Sequence, residues 1–208
     1  MRSRTFVLAI ALAATPAQAD GVYFAESFGV GMARGSLEPT VGNAIQSRLA
    51  LGARVRWLAL ESWIMSNMQT DREGAWRGLA GGAPAAGRAD LEAYGFSLKA
   101  IAPLHRGRSA ILEGYVRVGP SIVSGTGMLE GYRGVGFGAS AGIQLTGKVR
   151  ALGFLWAPLF FMTKGPKVTG SLFLDQGWDV IRLDRPDARS IRARVGHVSV
   201  GFAVGSAF

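Results

Sequence analysis

Residues 45–57 read IQSRLALGARVRW. Ile45, Leu49, Leu51, Ala53, Val55 and Trp57 share one parity with Ser47, while Gln46, Arg48, Ala50, Gly52, Arg54 and Arg56 share the other. Successive side chains of a strand point to opposite faces, so this segment has one greasy face and one holding arginine, alanine and glycine. A soluble sandwich would put bulky charged residues on its polar face. Here that face is small: glycine, alanine and serine leave room for a few long polar side chains inside a narrow tube, while leucine, valine and tryptophan face hydrocarbon. The stretch predicts one strand of a transmembrane barrel, apolar outside and polar inside.

The plan recurs. Residues 134–145 set Val135, Phe137, Ala139, Ala141, Ile143 and Leu145 against Gly134, Gly136, Gly138, Ser140, Gly142 and Gln144. The closing segment sets Val198, Val200, Phe202, Val204 and Phe208 against His197, Ser199, Gly201, Ala203, Gly205 and Ala207. Strand-like segments are expected at 22–33, 44–56, 58–66, 91–102, 110–123, 134–146, 149–163 and 193–208, eight in all. Each approaches or exceeds the roughly 9 to 11 residues that a tilted strand needs to cross a membrane. The fold class expected is all-β, an eight-stranded antiparallel up-and-down transmembrane barrel. Connections at 56–59, 103–109 and 146–148 are short and those at 34–43, 67–90, 124–133 and 164–192 are longer, which predicts periplasmic turns and external loops in that order. Segment 171–183 alternates weakly and is assigned to a hairpin in the last loop; 149–163 carries apolar residues on both parities and Pro158.

Ahead of this lies MRSRTFVLAIALAATPAQAD, with Arg2 and Arg4, an apolar run from Phe6 to Ala14, Pro16 and the triplet Ala17-Gln18-Ala19. These are the parts of a secretory signal peptide cut before Asp20, giving a signal at 1–19 and a single barrel domain at 20–208. The chain has no cysteine, so its stability must come from packing or lipid. It is 49% hydrophobic and 18% charged, with 30 glycines and a net charge of +9. No basic run with interleaved aromatics supports a nucleic-acid partner.

An export signal, eight amphipathic strands and a last strand ending in phenylalanine resemble the small outer-membrane β-barrels of Gram-negative bacteria, the OmpA-like and OmpW-like proteins. The resemblance implies the outer membrane as location, its lipid and lipopolysaccharide as surroundings, and a surface ligand of unspecified identity. It also implies that the barrel assembly machinery reads the last strand, where Val200, Phe202, Val204 and Phe208 fit and Ser206 departs mildly.

Inward parity collects Arg48, Arg54, Arg56, Lys99 and Arg117 with Glu61 and Glu113. Eight strands leave little more than room for side chains, so these charges are expected to pair and plug the lumen. A turn centred on Trp57 and Leu58 would set Arg54 against Glu61, and one centred on Arg106 would set Lys99 against Glu113. The cationic excess leaves open an anion channel. His197 and Ser199 look like the His-x-Ser of the lipid A 3-O-deacylase family, but Val200 stands where that family has Asn and no carboxylate follows His197. No catalytic residue, metal ligand or cofactor is therefore assigned. GVGFGASAG at 134–142 imitates a nucleotide loop, yet its glycines recur every second residue and no helix follows. Asp175, Asp179, Asp184 and Asp187 read as a solvated loop in preference to a divalent-cation site.

Overall fold

A computed structural model of the protein describes residues 21–35, 41–71, 89–127, 129–148 and 168–207. Its strands are β1 Gly21–Gly35, β2 Val41–Val55, β3 Leu58–Asp71, β4 Ala89–Arg106, β5 Ala110–Gly127, β6 Arg133–Lys148, β7 Val168–Arg185 and β8 Ala188–Ala207. Each pairs antiparallel with the next, and β8 returns to pair with β1 from Gly21↔Ala207 to Gly35↔Ala193, closing the ring of eight. Closure leaves no unpaired edge among these strands, the condition for a sheet to survive in hydrocarbon. The start of β1 and the finish of β8 lie together at what we call the terminal end; the opposite end is the far end.

The eightfold ring is as expected, but one strand is not. The seventh is Val168–Arg185, which contains the segment 171–183 that the sequence assigns to a loop. The stretch 149–163, the proposed signal at 1–19 and Phe208 lie outside the described residues. Two far-end connections are also tighter than expected: residues 128–132 join β5 to β6, and Pro186 and Asp187 alone join β7 to β8. The alternation of short and long connections therefore fails, because 149–167 at the terminal end is among the longest.

The reason β7 reads poorly is that its polarity inverts part-way along. Toward the terminal end its outward residues are Leu174, Gln176, Trp178 and Val180 and its inward ones include Asp175 and Asp179; beyond that point Arg182 and Asp184 face out while Ile181 and Leu183 are buried. Three other strands do the same. In β8, Val198 and Val200 face out over His197 and Ser199, whereas Arg192 and Arg194 face out over Ile191, Ala193 and Val195. In β4, exposed Phe96 and Tyr94 give way to Glu92, and inward Lys99 and Ser97 give way to Ala93 and Leu91. In β5, Val118 and Ile122 outside are followed by Ser124, and Arg117 and Ser121 inside by Val123. An apolar exterior over a polar interior suits lipid, and the reverse suits water. The inversion places a boundary between the two solvents near Tyr94, Ile122, Val180 and Val198, with strand ends projecting past it. The projecting ends carry their own apolar core, in which Leu91, Leu129 and Leu183 are at most 2% exposed.

Below that boundary the exterior is a belt of large apolar side chains, among them Ile122 at 66% and Phe96 at 61% exposure. Inside, four aromatics repeat one device. Tyr23, Trp63, Tyr115 and Phe173 each project inward beside a directly paired glycine on the following strand, namely Gly52, Gly95, Gly142 and Gly201. A Cβ at Gly52 or Gly95 would run into the ring of Tyr23 or Trp63. Each hairpin thus spends one glycine to lay one ring flat across its neighbour, an arrangement that also pins register.

Candidate functional site

The lumen between the apolar far end and the terminal mouth holds a layered network of charges. Glu61 on β3 lies at its centre. Its Oε1 accepts from the Tyr23 hydroxyl at 2.7 Å, and its Oε2 accepts from Arg48 Nη2 at 3.1 Å and from the Ser97 hydroxyl at 3.2 Å. Lys99 Nζ stands 3.8 Å from Oε1 and Arg117 Nη1 3.5 Å from Oε2. Toward the terminal end, Arg54 grips Glu113 with both terminal nitrogens, at 2.7 and 3.2 Å. Glu113 also accepts from Gln144 at 2.6 Å and Thr146 at 2.9 Å. Toward the far end, Asp175 accepts from Arg117 at 3.0 Å, from Tyr115 at 2.9 Å and from Ser140 at 3.1 Å. Two cations tie the layers together. Arg117 spans Glu61 and Asp175, and Lys99 reaches Gln144 Oε1 at 2.9 Å, a partner of Glu113. The cations lie over aromatic faces as well, Arg48 at 4.6 Å from the Trp63 centroid and Lys99 at 4.0 Å from that of Tyr115.

The structure places Arg48, Arg54, Glu61, Lys99, Glu113 and Arg117 together inside the ring, but with different partners from those expected. The β2–β3 turn is Arg56–Trp57, so Arg54 stands opposite Ala59, and Gly52 opposite Glu61. Arg56 occupies that turn with φ 55° and is exposed, leaving the lumen altogether. The β4–β5 turn lies beyond Arg106, and a register shift follows Pro103, so Lys99 faces Arg117 across the ladder. Two like charges directly opposed are tolerable here because Glu61 approaches both. The expected cationic excess is corrected for the same reasons. Arg48, Arg54, Lys99 and Arg117 meet Glu61, Glu113, Asp175 and Asp179, an even balance among the described residues of the lumen. Asp175 and Asp179, expected in a solvated loop, instead lie on β7 facing the lumen. Their shared parity with Gly177, opposite Leu174, Gln176, Trp178 and Val180, is the signal that exposes them.

His197 has the carboxylate partner that the sequence appeared to deny it. Its Nε2 stands 3.2 Å from Asp175 Oδ1 and its Nδ1 3.5 Å from Asp179 Oδ2. Both ring nitrogens are turned to carboxylates, so neither is aimed at Ser199 as a general base must be. The pair also faces the lumen, away from acyl chains. Asp184 and Asp187 stand apart from Asp175 and Asp179, held by Arg182 and Arg185 at the far-end hairpin.

Two cavities flank Glu61. The larger, about 330 Å³, opens at the terminal mouth and is lined by Arg54, Lys99, Arg108, Glu113, Lys148 and Ser171, among others. The smaller, about 20 Å³, lies among Gln46, Arg48, Trp63, Asp179 and His197, large enough for a single water. Arg48 Nε, Trp63 Nε1 and Gln46 Oε1 have no protein partner there.

No family model matches the chain, and no curated protein matches it. Among solved structures it is similar to the Neisserial surface protein A (NspA), at 16% identity over 92% of this chain and 100% of that one, with a TM-score of 0.46. It is also similar to Ail, the attachment invasion locus protein of Yersinia pestis, solved in complex with the heparin analogue sucrose octasulfate. That likeness is at 11% identity over 91% of this chain and 99% of the other, with a TM-score of 0.38. The closed ring of eight is established by strand register alone.

Proposed function

We propose that the protein is an integral outer-membrane barrel with a structural or surface-recognition role, its lumen closed by the Glu61-centred network and any recognition carried by its far end. The observation that carries this reading is the polarity inversion: an apolar exterior over a charged interior, changing to a polar or charged exterior over an apolar core on four strands. Only a chain crossing from lipid into water needs both halves. The terminal end then faces the periplasm and the projecting strand ends face outside. The outward Val200, Phe202 and Val204 of β8, together with Phe208, would be the feature read by the barrel assembly machinery.

An anion channel is the second reading, favoured by the cation-rich terminal vestibule. Against it stand the even charge balance and the layered pairing between the two cavities. The test is a heat-modifiability gel on the refolded chain, run beside planar-bilayer conductance on the same sample. A fast-migrating unboiled band with no conductance supports the closed barrel; steady anion-selective openings would replace it with the channel.

A further inference from the structure

The outward residues at the far end differ sharply around the barrel. On β6, β7, β8 and β1 they are Arg133, Arg182, Arg192, Arg194 and Arg34, all exposed. On β4 and β5 they are Glu92, Ser124 and Thr126. The arginines are crowded by the register: Arg34 stands directly opposite Arg194, and Arg182 directly opposite Arg192. Directly opposed like charges destabilise a sheet. The one carboxylate in the sector, Asp184, is engaged by Arg182 at 3.1 Å and by the Ser190 hydroxyl at 2.5 Å. Arg192 also acts on Asp184 electrostatically, which leaves Arg34 and Arg194 with no acidic partner among the described residues. An external anion would relieve the repulsion between the opposed Arg34 and Arg194. On the same outward face, Val180 stands directly opposite Arg194, and Trp178 and Val198 lie beneath it, the three exposed at 49%, 52% and 50%. A ligand that meets both must carry phosphate-like charge above hydrocarbon, with the tryptophan at the junction, where its amphipathic ring is favoured.

We propose that the arginine sector formed by Arg34, Arg133, Arg182, Arg192 and Arg194 binds the phosphate groups of an anionic lipid headgroup in the leaflet at the far end. The proposal rests on the membrane reading above. Free phosphate is the poorer fit, because it would leave the apolar belt below the arginines unused. The one-sided distribution implies that lipid binds a sector of the barrel, centred on β8, and leaves the β4 side bare.

The test uses the full chain refolded in zwitterionic detergent, titrated with bisphosphorylated lipid A, with occupancy read by native mass spectrometry. Each arginine near such a charge contributes roughly a fivefold change in affinity. The double variant Arg192→Gln, Arg194→Gln is expected to bind roughly 25-fold more weakly than the parent. The variant Arg106→Gln, Arg108→Gln carries the same charge change at the terminal end and should bind as the parent does. Millimolar inorganic phosphate should fail to displace the lipid. Equal weakening in both variants, no weakening in either, or displacement by inorganic phosphate would each overturn the proposal. Should the β8 double variant lose its heat-modifiable band, Arg34→Gln with Arg133→Gln takes its place. A parent chain that shows no such band overturns the barrel reading and not merely this site.

Discussion

At the scale of single residues, Glu61 and Glu26 present opposite problems. Glu61 is 2% exposed and draws on Arg48, Lys99, Arg117, Tyr23 and Ser97 at once. Glu61→Gln keeps the shape and removes the charge, leaving three cations in a low-dielectric lumen with one fewer counter-ion. Breaking a buried ion pair from one side costs about 3–5 kcal/mol. The expected outcome is a lowered urea midpoint for unfolding from lipid vesicles, whereas Asp187→Asn, which breaks only an exposed pair with Arg185, should leave the midpoint where it was. Glu26 is the reverse case, an outward carboxylate flanked by Leu49 and Phe202 within the apolar belt of β1. A lipid-facing charge opposes insertion, though a carboxylate less than an arginine. Glu26→Leu should therefore raise the same midpoint by about 1–2 kcal/mol in unfolding free energy. No change on that substitution would mean that Glu26 lies outside the hydrocarbon or is satisfied there by a partner.

At the scale of elements, the strands differ in how openly their sequence announces them. β2 and β6 keep one polarity over most of their length, so period-two reading found them and their inward residues Arg48, Arg54 and Gln144 directly. β7 reverses polarity near Val180, which averages its alternation away over any window spanning the change. With β7 unread, Asp175 and Asp179 were missing from the lumen and His197 seemed to lack an acid. Registers were legible only to within a turn: a two-residue turn at Arg56–Trp57 and the shift after Pro103 decide which charges meet, and neither leaves a mark in hydrophobic periodicity. What the sequence does carry is the glycine-aromatic pairing, visible only once the register is known. Gly95 shows its strength. It lies against the Trp63 ring, over which the Arg48 guanidinium sits at 4.6 Å from the centroid, so Gly95→Val must push the ring off its site and disturb the cation above it. The variant should refold in lower yield as judged by the unboiled fast band, and Trp63→Ala combined with Gly95→Val should recover part of that yield, the rest staying lost to the Pro120 carbonyl that the new Cβ also meets at 2.7 Å.

At the scale of the whole molecule, the barrel consists of three stacked compartments: a water-accessible vestibule at the terminal end, a balanced charge network in the middle, and an apolar core within the projecting far end. The middle links Glu61, Glu113 and Asp175 across strands, and on the proposed reading it bars the lumen while the far end stands in water beyond the membrane. This explains a sequence that is 49% hydrophobic yet strongly basic, since the arginines gather where the exterior turns to water. The central claim is that β7 crosses the membrane and inverts near Val180. Single cysteines introduced in turn from Leu174 to Asp184, spin-labelled in a chain refolded into lipid vesicles, test it most directly through collision with oxygen and with a water-soluble nickel complex. Positions 174, 178 and 180 should favour oxygen, and 182 and 184 should favour nickel, with 175, 177, 181 and 183 protected from both. Uniform access to nickel across all these positions would return the segment to a solvated loop and contradict the account.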